Sequence, residues 1–551
     1  MIAFRARLAP AALAVLAACT RAGNGATATD GTGGPAAHRT RLVIATSADP
    51  KNLNPAFNSA TPTLSLSSYL FSYTVRYDNR GRPVPDAVER LPTVQNGDVA
   101  RDGLTIRYHL RRNMRWHDGQ PVTCRDLRMT WQVMVNPKNI IDTTEGWRDI
   151  RDVDCRDPYV AVVRMKRVYA PFLQQLWSVN GNGPILPEHL LATLNDDKGT
   201  LNTAAYNSAP VGSGPYKFVA WERGSEVRLA ANPDFYLGKP AIDEVVYRII
   251  PDTNTLVTQV RTHEIDVAWN LPASSWGQLQ GVPGDRIIAP IDYTFDHIDF
   301  NLRQPILADV RVRRALTYAL DRPALLDKVQ HGLGELADTF FDRTLYGPAV
   351  DPNVMKYPYD APQARRLLDE AGWHAGADGI RTKGGTRLAF QVSSTTESAV
   401  AHTIESQAQA YWRAVGADVE VKNYPTSMFF DQTLNGILAS GKFDAAVYAW
   451  SGAPDVDNSA IYSGHNLPPH GQNYPYWQNQ TATRAMDDAN GTIDQARRVA
   501  DYRVVQREFA KDDPSVILWF RKGVIAYKDA LQGFTPTPVI LVFWDPWHYH
   551  L

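Results

Sequence analysis

Between Leu388 and Val421 the chain writes out one complete supersecondary unit. An apolar strand at Leu388–Val392 leads into a helix whose inward positions are Ile404, Ala408, Tyr411 and Val415, and a second strand follows at Asp418–Val421. Strand, helix and strand at this spacing form a βαβ unit, so the chain belongs to the α/β class with a partly parallel sheet. Another strand, Ala445–Trp450, runs into the Gly/Pro/Asp loop Ser451–Asn458. Loops at the carboxyl ends of such strands are where open α/β sheets hold ligands.

Further elements carry their own start and stop signals. Leu42-Val43-Ile44-Ala45 reads as a buried strand, and Thr105–Leu110 alternates before the Asp118-Gly119 turn. Thr123 is placed to cap a helix with Leu127, Trp131 and Val135 four apart. Strand-like segments cover Val227–Leu229 and Val245–Ile250. Asp309 caps a helix with Val312, Ala315, Leu316, Ala319 and Leu320 on one face, Asp321-Arg322-Pro323 opens another, and Asp360 to Gly372 bounds a third. Gly212-Ser213-Gly214 leads into a strand, Pro215–Val219, and so bends the chain; it is neither a phosphate loop nor the G-x-S-x-G elbow of hydrolases.

The first residues point to export. Arg5 and Arg7 precede the apolar stretch Leu8–Leu16, too short to span a bilayer, and Leu16-Ala17-Ala18-Cys19 resembles the lipobox of bacterial lipoproteins. Residues 1–18 are expected to be a lipoprotein signal peptide, with Cys19 lipidated. Residues 19–40, mostly Gly, Ala and Thr, are expected to form a flexible tether. No later run approaches the ~20 apolar residues of a membrane span. With 57 Lys+Arg against 58 Asp+Glu, the chain also lacks the basic excess of a nucleic-acid binder. Outside the cytosol Cys124 and Cys155 are free to form a disulfide, although their spacing leaves two separate thiols equally open.

Several segments together resemble the solute-binding proteins of ABC importers, in the peptide/nickel-type family. They are Trp116-His117-Asp118-Gly119-Gln120-Pro121-Val122-Thr123, Gly212-Ser213-Gly214-Pro215-Tyr216, Phe300-Asn301-Leu302, Asp309–Leu316, Ala319–Arg322, Leu367–Trp373 and Phe443-Asp444-Ala445, in that order. The resemblance implies a two-lobed periplasmic-binding-protein fold with two hinge crossings that closes like a flytrap. Lobe I would take residues 41–300, with an inserted subdomain at about 80–205. Lobe II would take 301–515, and 516–551 would return to lobe I through the apolar run Val516–Phe520.

The resemblance also nominates ligand contacts: Trp450, Ser451 and Gly452 in the loop after the strand, Trp269 and Asn270 at another strand end, and Phe295 and His297 before the crossing. In peptide-binding relatives an aspartate three residues after the loop Trp holds the peptide's ammonium; here that position is Ala453. Asp455 and Asp457 are the candidates to replace it, or else are loop carboxylates. The partners implied are a peptide or other small solute, ABC permease subunits, and the membrane through the lipid on Cys19 only, with an extracytoplasmic monomer as the expected form. A non-peptide solute such as an oligosaccharide or metal chelate fits the same fold.

The rival class is a lipid-anchored hydrolase, but no H-E-x-x-H, G-x-S-x-G or S-x-x-K set stands in a supporting context. Asp487-Asp488 and Asp512-Asp513 read as solvated helix or turn acids. His465, His470, His548 and His550 lack the spacing of a structural metal site. No cofactor and no metal is expected.

Overall fold

The apolar run near the start of the body forms the central strand Arg41–Thr46, with five consecutive buried residues. A strand covered on both faces reads as a continuous apolar run, which is why its sequence does not alternate. This computed structural model describes residues 40–141, 144, 146–195, 200–469, 471–539 and 542–551. The expected signal peptide, Cys19 and most of the tether lie outside the described residues, as does His470.

Two sheets organise the rest. The first has seven strands in the order Asp285–Ile288, Val524–Lys528, Val267–Leu271, Arg41–Thr46, Glu244–Ile249, Glu226–Ala231 and Tyr216–Glu222. The second has six, in the order Gly334–Leu336, Ser515–Lys522, Ile291–Phe300, Ala445–Ser451, Ala389–Ser393 and Asp418–Val421. Within it Ala389–Ser393 pairs parallel with Asp418–Val421, and the helix Ala399–Ala414 connects them. Ile404, Ala408 and Trp412 of that helix are buried against the sheet. A three-stranded sheet of Thr105–His109, Val160–Met165 and Ile150–Asp157 builds a smaller layer, where the sulfurs of Cys124 and Cys155 are bonded with their Cα atoms 5.5 Å apart.

Helix ends follow the capping residues. Thr123 and Asp126 form a reciprocal capping box on Cys124–Val135. Asp309, Asp321 and Asp360 each accept a backbone N–H at the start of Val310–Tyr318, Arg322–Gln330 and Ala361–Glu370. Asp513 departs from its expected place in solvent. It is 3% exposed, accepts from Thr317 Oγ1 at 2.7 Å, and burial pushes its carboxyl up to about 6.

The crossings between sheets also fall elsewhere than expected. Ile291–Phe300, assigned from sequence to the first lobe, pairs with Ala445–Ser451 and Ser515–Lys522 in the second sheet. The returning strand likewise stays in the second sheet through Lys522 and enters the first at Val524. The chain therefore changes sheets at Ala289-Pro290 and again at Gly523. These two points touch: Gly523 N–H donates to the Pro290 carbonyl at 3.1 Å, Ile288 pairs with Ile525 on one side, and Ile291 with Lys522 on the other. One antiparallel ribbon thus runs from sheet to sheet. A proline, which has no N–H to donate, and a glycine, which has no side chain, sit where the ribbon bends.

Candidate functional site

A cavity of about 740 Å³ opens at this ribbon, between the two sheets. Its first-lobe wall includes Ser47, Thr61, Thr253, Trp269 and Asn270; its second-lobe wall includes Lys328, His331, Thr403, Ser451 and Gly452. The floor is the ribbon itself, with Pro290–Thr294 from one strand and Arg521–Gly523 from the other.

Local backbone irregularities aim the lining residues. Register slips between Ala268 and Leu271 against Val524–Lys528, and Asn270 within that slip has φ +54°. A bulge re-aims side chains, and asparagine tolerates the left-handed region better than most residues. The result leaves Asn270 exposed in the cavity wall while Trp269 is 3% exposed beside it. Across the cavity Gly452 N–H donates to the Tyr293 carbonyl at 2.9 Å, and Tyr346 Oη donates to the Ala453 carbonyl at 3.0 Å. A Cβ on Gly452 would stand 2.9 Å from Tyr346 Oη and 3.2 Å from the Tyr293 carbonyl, so a side chain there would have to displace the Tyr346 hydroxyl.

Four of the nine nominated contacts come together here: Trp269, Asn270, Ser451 and Gly452. The other five lie outside the lining, each for a packing reason. Phe295 is 1% exposed and packs on Phe520, with ring centroids 5.4 Å apart. His297, also 1% exposed, lies 3.1 Å from Asp299 and 3.2 Å from Ser515 Oγ, and its ring meets Tyr448 at 4.2 Å. Trp450 sits opposite Phe295 in the ladder and packs half-buried on the same core.

The two loop carboxylates are committed to the helix Gln495–Asp512. Asp455, 5% exposed, receives both ends of the Arg498 guanidinium at 2.7 and 2.5 Å. Burial alone would lower the Arg498 pKa, and the charge of Asp455 more than offsets it, leaving Arg498 above its ordinary value. Asp457 accepts from Tyr502 Oη at 2.6 Å and from Ser459 N–H at 2.9 Å. Neither carboxylate is among the residues lining the cavity; of the two alternatives open for them, replacement of the acid absent at Ala453 or loop carboxylates, these bonds match the second.

Sequence reasoning passed over Asp292, the single acidic residue among the lining residues described. Thr294 N–H donates to its Oδ1 at 2.6 Å. Burial pushes its carboxyl up to about 6 despite that bond and the Arg521 charge, which both act downward. The two cations of the returning strand are occupied. Arg521 holds Asp296 through Nε at 2.8 Å and Nη2 at 2.6 Å, and Lys522 Nζ meets Glu335 at 2.5 Å. The available signal was Pro290 immediately before Ile291, marking where the strand leaves one sheet for the other.

Among the described residues no group of three or more His, Cys, Asp or Glu side chains is arranged to hold a metal ion, and no helix is long and apolar enough to cross a membrane. His465 instead pairs with Asp487 at 3.0 Å, and His548 with Asp545 at 3.2 Å.

The model of the bacterial extracellular solute-binding proteins, family 5, matches residues 82–468. The chain belongs to this family. It is 25% identical over 499 residues to the oligopeptide-binding protein AppA of Bacillus subtilis, covering 90% of this chain and 89% of AppA. It is also 25% identical over 526 residues to di/tripeptide-binding protein 2 of Pseudomonas aeruginosa, covering 90% and 93%. Among solved structures, AppA in complex with a nonapeptide superposes with a TM-score of 0.77 at 24% identity, covering 93% of this chain and 98% of that one. NikZ from Campylobacter jejuni in complex with Ni(L-His) gives 0.78 at 24% identity, covering 93% and 99%. The two-sheet architecture with a cleft at the crossings is therefore that of a family 5 binding protein. Its relatives are solute-binding proteins, not enzymes.

Proposed function

We propose that this family 5 protein captures peptides outside the cytoplasm in the cleft between its lobes and delivers them to the permease subunits of an ABC importer. The observation that carries the reading is the cavity of about 740 Å³ walled by both sheets and floored by both crossings. A solute there touches both lobes, so it binds the closed arrangement better than the open one and shifts the population toward it. Ser47, Thr61, Thr294 and Ser451 offer hydroxyls to an extended backbone, and the half-buried Ile291, Val329 and Val400 offer apolar surface. Binding without chemistry is the whole task of the cleft. In this reading lobe I is residues 41–289 and 524–551, and lobe II is 290–523. Residues 1–18 are a signal peptide, and lipid on Cys19 with the tether 19–40 holds the monomer at the membrane near its permease.

A second reading, a non-peptide solute such as a metal chelate or oligosaccharide, draws support from the commitment of Asp455 and Asp457 elsewhere. Native mass spectrometry of the mature protein purified without refolding separates the two. A ladder of co-purified peptide masses is the expected result, and one discrete non-peptide mass would replace it with the second reading. In cell fractionation Cys19→Ser is expected to release the protein from membranes; undiminished membrane retention would remove the lipid anchor from the proposal.

A further inference from the structure

The ribbon at the floor of the cleft holds a carboxylate that lines the cavity and, among the described residues, makes no ion pair. Two acids near the cleft have cations built in: Asp455 has Arg498, and Asp296 has Arg521 together with the Trp519 indole N–H at 2.8 Å. Buried acids without an ion pair among the described residues, such as Glu405 and Asp513, do not line the cavity. Asp292 has the Thr294 N–H on Oδ1, with the Thr294 hydroxyl also bonding to the carboxylate, and among the described residues no ion pair. Beside Oδ2 stands Gly523, where even an added Cβ would remain 3.9 Å away. A carboxylate partly withdrawn from water, with its nearest cation Arg521 bonded to Asp296, is costly to ionise, and the rise of the Asp292 pKa to about 6 follows from that desolvation. A cation from the solute would cancel that cost.

We propose that Asp292 is the counter-charge for a primary ammonium carried by the bound solute. The inference rests on the reading of the cleft as a solute site. Ammonium is favoured over guanidinium by geometry. A guanidinium fork needs both carboxylate oxygens side by side, and Oδ1 is already engaged. A compact ammonium needs one oxygen and two further acceptors, and the Thr294 and Ser451 hydroxyls, 3.2 Å from one another, line the same cavity. The ammonium pairs only with ionised Asp292, so affinity falls as pH drops below about 6. The charged and titratable groups around it are Tyr293 and Asp296 on its own strand, Arg521 and Lys522 on the returning strand, and Lys328 and His331 from the second lobe.

The test uses the full mature chain, its Asp292→Asn variant and four probes. These are an alanine-rich pentapeptide with a free amino terminus, its N-acetylated form, an acetylated form carrying one lysine, and putrescine. Asparagine retains an acceptor for Thr294 N–H and removes the desolvated charge, so the variant keeps the fold. Calorimetric titration should show the free-amine peptide binding at least about tenfold more tightly than its acetylated twin, and Asp292→Asn should bring that ratio close to one. Equal binding of the two forms by the natural protein, or an unchanged ratio in the variant, overturns the proposal. Recovery of affinity in the lysine peptide assigns the ammonium to a side chain; no recovery assigns it to the terminus. If no peptide binds, the peptide reading fails alone and putrescine decides: weaker binding in Asp292→Asn upholds the counter-charge, and no difference rejects it. The pH profile is repeated in His331→Asn, which suits that residue's φ of +50° and removes the imidazole from the wall.

Discussion

Two aspartates in this molecule, Asp455 buried at 5% exposure and Asp292 half-buried in the cavity wall, have opposite provisions. Asp455 follows the second-lobe strand and meets a guanidinium from a helix 43 residues further on. Asp292 lies on the first crossing, where the two cations of the returning strand, Arg521 and Lys522, pair with Asp296 and Glu335. The difference teaches how to separate architecture from function. A buried charge whose partner is built in fixes one segment against another, whereas one left without a partner at a cavity keeps its best interaction for something that arrives from outside.

Stability measurements can break this comparison, because the two acids should respond with opposite signs. Asp455→Ala strands Arg498 as an uncompensated buried charge, and denaturant titration should show a loss of about 3–5 kcal/mol. Asp292→Asn should instead stabilise the unliganded protein by about 2–3 kcal/mol at pH 7.5. The sign follows from linkage. With its pKa raised to about 6 in the folded state, Asp292 holds its proton there while the unfolded chain has lost it, so its contribution worsens as pH rises from about 4 to 6. That slope should vanish in the variant, and a destabilised Asp292→Asn would place the residue with Asp455. Tyr502→Phe, which removes the hydroxyl from Asp457, should cost about 1 kcal/mol and leave solute affinity unchanged in the same calorimetric assay. Asn270→Gly should shift stability by only a few tenths of a kcal/mol, roughly the scale of a cap-to-glycine change. It keeps the left-handed backbone and removes an amide from the cavity wall, so its readout is affinity.

How much was legible depended on the range of the signal. The helices after Asp309, Asp321 and Asp360 were readable because a cap and an apolar spacing sit within a dozen residues of each other. So were the parallel strands around Ala399–Ala414, since connection length dictates their pairing. The fate of each acid was not readable. Nothing near Asp455 announces Arg498, and nothing near Asp296 announces Arg521, 225 residues away. The crossing was misplaced for a similar reason. Phe300-Asn301 looks like the end of a strand and is one, but the sheet that strand joins is decided by Ala445–Ser451 and Ser515–Lys522.

The contact between Pro290 and Gly523 carries a mechanical consequence. Two links fastened side by side leave rigid bodies a single rotation, about a line through the links. Every group in the walls then sweeps an arc whose length grows with its distance from that line. Asp292 sits almost on the pivot and has next to no lever arm, so it keeps its place through the whole swing. A charge held there greets an incoming solute in the gaping molecule just as it holds it in the shut one, and Ser451, paired with Thr294 on the adjoining strand, stays beside it.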